Sequence, residues 1–193
     1  MSSGSTESSE AKLIRLHEII RGCRDCDLCT TRRRVVPGEG AANASVMFVG
    51  EAPGAREDVE GRPFCGPAGQ LLDELLASIG LPRESVYITN IVKCRPPNNR
   101  VPTPDEVAAC TQFLKIQIGL IAPKVLCTLG GPALKTLSGE ARAMGEWHGR
   151  SERRKRYVLC PLYHPAAALH QPSLRETLFE DFGRLGHYLE EHT

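Results

Sequence analysis

Apolar positions along the chain follow two spacings. Leu13, Leu16, Ile19 and Ile20 recur at helical intervals and predict a first helix over roughly residues 10–22. Beyond it come four short apolar runs, at 45–49, 86–92, Val125–Leu129 and 157–162. Each is rich in β-branched or aromatic residues and ends near Gly, Pro or Asn, which predicts strands. Helical patterns fill the intervals. Leu71, Leu72, Leu75, Leu76 and Ile79 form one apolar stripe. A second helix opens at Thr103-Pro104-Asp105-Glu106, a capping box with proline in the first turn, and Val107, Cys110, Leu114, Ile118 and Ile121 give its inner face. A last helix is predicted over roughly 173–191. Strands separated by helices imply parallel pairing, hence an α/β fold: a three-layer α/β/α sandwich around a four-stranded parallel sheet. Such sheets bind ligands beyond the carboxyl ends of their strands.

Those ends carry a distinctive set of side chains. The first strand exits into Gly50-Glu51-Ala52-Pro53-Gly54 and runs on through Glu57, Asp58 and Gly61 to Pro63-Phe64. The second ends at Thr89-Asn90, an amide able to read a donor–acceptor edge. The fourth exits into Tyr163-His164-Pro165. Singly, Glu51 reads as a solvated acid, Asn90 as a turn former and His164 as a satisfied histidine. Together, at the carboxyl ends of three predicted strands, they predict one pocket. Gly38-x-Gly40 precedes its strand and is no dinucleotide fingerprint.

Composition narrows the setting. A chain of 193 residues suits a single domain, expected over 10–193 behind a disordered polar tail at 1–9. No run is long and apolar enough to span a membrane, and the Ser-rich, acidic start lacks the features of a signal peptide. The expectation is a cytoplasmic monomer. Eight cysteines in a reducing compartment point to metal or buried thiols rather than disulfides. Cys127 and Cys160 fall inside strands and read as small core residues. Cys23-x-x-Cys26-x-x-Cys29 has a metal-type spacing, with Cys94 and Cys110 flanking a loop over 95–109; zinc and iron–sulfur both accept four thiolates. Net charge is +1, but residues 141–160 hold six Arg or Lys against two Glu. Nucleic-acid binding would therefore rest on local patches.

The motifs Gly50-Glu51-Ala52-Pro53-Gly54, Gly61-Arg62-Pro63-Phe64, Tyr87 through Pro97 (Tyr-Ile-Thr-Asn-Ile-Val-Lys-Cys-Arg-Pro-Pro) and His164-Pro165 resemble the iron–sulfur uracil-DNA glycosylases called family 4, over nearly the whole chain from Leu13 onward. The resemblance implies a base-excision DNA-repair enzyme that releases uracil from single- and double-stranded DNA. It implies one [4Fe-4S] cluster per chain on Cys23, Cys26, Cys94 and Cys110, leaving Cys29 as a spare. It further implies that Phe64 stacks on a flipped uracil, Asn90 reads its Watson–Crick edge, His164 contacts O2, and Ala52 is also among the substrate-binding residues. The best-known uracil glycosylases carry Asp and Tyr where this chain has Ala52 and Gly54. Glu51 is thus the expected water-orienting group, with Asp58 second. Lys93, Arg95, Arg100, Leu169 and His170 are expected DNA contacts. The basic segment holding Arg150, Arg153, Arg154, Lys155 and Arg156 reads equally as phosphate-binding or as a solvated turn.

Three alternatives are weaker. Covalent capture of the product would call for a histidine after the second strand, and none lies between Asn90 and Cys110. A non-catalytic iron–sulfur binding module would not need Glu51, Asn90 and His164 together. A glycosylase preferring another deaminated base would keep the same fold.

Overall fold

The computed structural model describes residues 7–192; the expected disorder of the extreme amino terminus falls mostly outside them. The first helix starts slightly earlier than expected. Ser8 caps α1 (Ser9–Gly22), its hydroxyl accepting from the Ala11 amide. Leu13, Leu16 and Ile20 are buried on this helix, whereas Ile19 is exposed and does not belong to the inner face. A short α2 (Leu28–Thr31) follows the cysteine motif.

The sheet is wider than the four predicted strands. Its centre is β2 (Val46–Gly50), β3 (Tyr87–Asn90), β4 (Val125–Leu129) and β6 (Val158–Leu162), all parallel. Two-residue antiparallel strands extend both edges: β1 (Glu39–Gly40) on β3 and β5 (Glu152–Arg153) on β6, giving the order β1-β3-β2-β4-β6-β5. The central strands are buried on both faces and therefore read as unbroken apolar runs.

Alternate residues of each strand enter different cores. Met47, Val49, Tyr87, Leu126 and Leu159 pack with α1 and with α5 (Pro104–Ile121). Val46, Phe48, Ile88, Val125 and Cys160 pack with α4 (Pro67–Ser78) and α9 (Pro172–His192). These are the two helical layers of the sandwich. The Thr103 capping box at the start of α5 forms in full. The remaining helices are short: α3 (Ala55–Glu60) after β2, α6 (Gly131–Ser138) after β4, α7 (Met144–Trp147) before β5, and α8 (Pro165–Ala168) after β6. No helix among the described residues is long and apolar enough to cross a membrane.

Candidate active site

Gly50 ends β2 beside Asn90, which ends β3. A Cβ on Gly50 would collide with Asn90 Oδ1 and with the Phe64 ring, so glycine is what lets the amide and the ring approach one another. Asn90 is 1% exposed and its Oδ1 is buried with no hydrogen-bond partner. Leaving such an acceptor unpaired costs about 1–3 kcal/mol, so the fold holds open a site for a donor.

Phe64 is placed by an unusual backbone. Its φ is +48°, the left-handed region that bulky residues avoid. Two features hold it there. Glu57 Oε1 accepts from both the Cys65 and Gly66 amides, each at 3.0 Å. Gly69, in the first turn of α4, lies so close to the Phe64 carbonyl that no side chain fits. The Phe64 ring then lies 5.5 Å from the His164 ring, the planes 26° apart.

His164 caps α8. Its Nδ1 accepts from the Ala166 amide at 3.1 Å, which fixes the proton on Nε2. Burial pushes its pKa down to about 4, against a small opposing pull from Glu57. The ring is therefore a neutral Nε2–H donor at neutral pH. Gly130, after β4, has φ +92° and passes close to His164 Cβ, where a side chain would crowd the ring.

Gly50, Asn90, Phe64 and His164 are thus brought together. Glu51 stands next to them and faces a neighbouring groove of about 390 Å³ lined by Ile91, Val101, Pro102, Val107 and Pro132. Its carboxylate is half-buried, has no hydrogen-bond partner among the described residues, and burial raises its pKa. Ala52 packs against the core on the α5 side.

Two expected roles fail on the geometry. Asp58 is 3% exposed and accepts from the Arg33 and Arg34 amides, so it braces the loop before β1 and is not free to orient water. Lys93 is 1% exposed; its Nζ donates to Thr89 Oγ1, the Asn90 carbonyl and Gln117 Oε1. It cannot reach a phosphate. Among the other expected DNA contacts, Arg100 is held by both Glu106 oxygens and Arg95 donates to Asn99 Oδ1. Leu169, 44% exposed, and the exposed His170 end α8 just beyond His164.

Cys23, Cys26, Cys94 and Cys110 line one small cavity between α1 and α5, with Arg32 and the Lys93 backbone; Cys29 does not line it. The surroundings suit bound thiolates. Arg32 Nη1 donates to Cys94 Sγ at 3.1 Å and the Lys93 amide to Cys110 Sγ at 3.2 Å. As free thiols these groups resist ionisation: burial pushes Cys94 up to about 11 and raises Cys23 and Cys110. A metal would supply the missing drive for deprotonation. Among the described residues no three Cys, His, Asp or Glu side chains converge as a single metal ion requires.

Two positioning elements are not evident from the sequence alone. Glu57 was visible only as one acid of a loop, and its pairing with amides eight and nine residues on is a tertiary fact. Lys93 lies between the apolar Val92 and Cys94, and the fold buries it with them.

A family model described as the uracil DNA glycosylase superfamily matches residues 37–184. A type-4 uracil-DNA glycosylase of Sulfurisphaera tokodaii is 45% identical over 182 residues, covering 90% of this chain and 83% of that protein. One from Archaeoglobus fulgidus is 46% identical, covering 89% and 92%. One from Pyrobaculum aerophilum is 47% identical over 177 residues, covering 88% and 90%.

Proposed function

The chain belongs to the uracil DNA glycosylase superfamily, and from that premise we propose that its strand-end site hydrolyses the N-glycosidic bond of uracil in DNA, leaving an abasic site for base-excision repair. The single observation that carries this reading is the buried, unpartnered Asn90 Oδ1 beside the Phe64 ring. Uracil N3–H is the donor it lacks. Cytosine has an acceptor at that position, so the wrong base would leave two buried groups unpaired, which is how such sites discriminate strongly.

A base within a duplex is out of reach and must be extruded into the pocket. Phe64 replaces the stacking the base loses, an interaction worth about 1–3 kcal/mol. As the C1′–N1 bond breaks, its electron pair leaves with the base and negative charge grows on uracil O2. His164 donates to that oxygen through Nε2–H. Being neutral, it stabilises the anion without surrendering its proton, and the Ala166 amide keeps its tautomer fixed. Water adds to C1′ and its proton passes to Glu51, whose unpaired carboxylate at the end of β2 is free to take it. Leu169 and His170 contact the DNA next to the flipped nucleotide.

Cys23, Cys26, Cys94 and Cys110 hold a [4Fe-4S] cluster. When bound it would serve as a staple between α1, the loop over 95–103 and α5, with no redox work in the hydrolysis. The protein acts as a monomer in the cytoplasm, where thiols stay reduced for cluster assembly. The deciding experiment is single-turnover incubation of excess protein with uracil- and cytosine-containing oligonucleotides, without added magnesium. Free uracil from the first and no cytosine from the second is expected. Tight binding of the uracil strand with no base release would leave only a binding module.

A further inference from the structure

The basic segment around residue 154 does not lie on the active-site side of the sheet. Its residues form the turn that joins β5 to β6, closed by the Arg154 amide donating to the Tyr157 carbonyl at 2.9 Å. That turn sits at the amino end of β6, and Lys124 sits at the amino end of β4. His164 and Asn90 follow the carboxyl ends. About 16 Å of strand separates the two ends, at roughly 3.3 Å per residue. This charge therefore lies outside the strand-end pocket itself.

The turn, Lys124 and the last turns of α9 enclose a groove of about 280 Å³, into which Arg153, Arg154, Lys155 and Arg156 project with Tyr157 and Tyr188. Most of the charge lining the groove is positive, although Glu190 and Glu191 lie in sequence between the lining residues Leu189 and His192. Glu152 is already shared by Arg142 and Arg154, at 2.6 and 3.1 Å. Among the described residues no carboxylate pairs with Lys124, Arg153, Lys155 or Arg156, and all four are exposed. The carboxyl end of α9 attracts cations, but a helix terminus carries about half a unit charge. Four unpaired cations exceed what it needs. Tyr188 is held by stacking on His192, ring centroids 4.1 Å apart. The backbone is also pinned: Val158 donates to the Lys124 carbonyl at 2.9 Å, so turn and strand start move together.

We propose that this groove is a second nucleic-acid site, which takes the phosphate backbone of a single strand while the strand-end pocket holds another segment. Unpaired cations beside tyrosines in a concavity are what single strands bind: phosphates meet the cations and bases lie on the aromatic rings. A duplex would present no free base to the tyrosines. The protein would thereby keep hold of DNA between excision events and pass from one segment to another. The choice of nucleic acid over another polyanion rests on the function proposed above; the existence of an anion site does not.

The test uses the full chain with its pocket blocked by excess unlabelled duplex containing an abasic-site analogue. A fluorescent uracil-free oligo-dT is then titrated in, and anisotropy is followed at several salt concentrations. The wild type should bind this second strand, with log K falling against log salt at a slope near −2 to −3, about 0.7 per phosphate contact. The variant Arg153→Glu/Lys155→Glu/Arg156→Glu, all exposed side chains at the end of β5 and on the turn after it, should bind at least tenfold more weakly and lose about 2 from that slope. Its uracil release from a 12-residue oligonucleotide should stay within twofold of wild type. Exclusion of oligo-dT by the blocked wild type, or equal binding by the variant, would overturn the proposal. So would loss of polyglutamate binding alone in the variant, which would make the partner an acidic polypeptide. Failure of both proteins to release uracil would count against the hydrolytic reading and leave the binding result intact.

Discussion

Asn90, Glu51 and Lys93 are polar groups withdrawn from water on three different terms. Asn90 awaits a ligand, Lys93 is fully satisfied by the protein, and Glu51 is half-withdrawn with no partner. Those terms separate their roles. Burial raises the Glu51 pKa, so its carboxylate takes up a proton at a higher pH than an exposed acid would. The single-turnover rate should therefore fall on the acid side, above the ordinary carboxylate range. Glu51→Gln should slow hydrolysis by about 10²–10⁴-fold and abolish that acid limb; a full-speed variant with the limb intact would remove Glu51 from the reaction. His164, already neutral down to pH about 4, contributes nothing to that limb. Lys93→Met leaves the acceptors on Thr89, Asn90 and Gln117 unpaired, at about 1–3 kcal/mol for each buried group. Urea unfolding should register the loss. The salt slope of duplex binding should not change, whereas removing a true phosphate contact would lower it by about 0.9.

At the scale of elements, the central strands were legible because burial on both faces leaves continuous apolar runs, and Val125–Leu129 matches its observed bounds. The edge strands were not. Glu39–Gly40 and Glu152–Arg153 are two residues long, polar, and exist only because a neighbour offers unpaired backbone groups. The pocket was legible in part for the same topological reason: Gly50, Asn90 and His164 follow strands that the apolar pattern locates. The supports of Phe64 were not, since the Glu57 pairing and the Gly69 contact join residues whose meeting no periodicity encodes. Leu169 could have packed the start of α9, yet it is 44% exposed while Ala168 beside it is buried. An exposed apolar side chain next to the pocket suits a wedge that enters the base stack, offsetting an unstacking cost of a few kcal/mol. Leu169→Ala should thus reduce excision from a U·A duplex more than from U·G, and scarcely from single-stranded DNA. Equal loss on all three substrates with a lower melting temperature would contradict the wedge.

Over the whole molecule, the two ends of the sheet divide the labour, and the cysteine site lies off both, against the helical layer that carries α1 and α5. Two half-buried histidines, His17 on α1 and His164 just after β6, bear on stability in acid. Burial pushes His17 and His164 each down to about 4, below the value near 6.5 of an unfolded chain. Both are neutral in the fold and take up protons on unfolding, so their contribution is present above pH 6.5 and lost as pH falls toward 4. Melting temperature should decline across that window. The cysteine site predicts a further dependence. Cys23 and Cys26 follow α1, Cys94 follows β3 and Cys110 lies within α5, so a group bound by all four closes successive loops from Cys23 to Cys26, from Cys26 to Cys94 and from Cys94 to Cys110, the middle one by far the longest. Longer loops gain more from closure, though only logarithmically. Without the group, two buried and two half-buried thiols remain in a layer that otherwise holds α1 chiefly by three buried apolar side chains. Protein purified aerobically should be brown, with iron and sulfide near four each per chain. Cys94→Ala should lose the colour and melt at lower temperature, while any soluble fraction keeps its preference for uracil over cytosine. Near-stoichiometric zinc with no iron, or a colourless Cys94→Ala protein of unchanged melting temperature, would refute a structural cluster at this site.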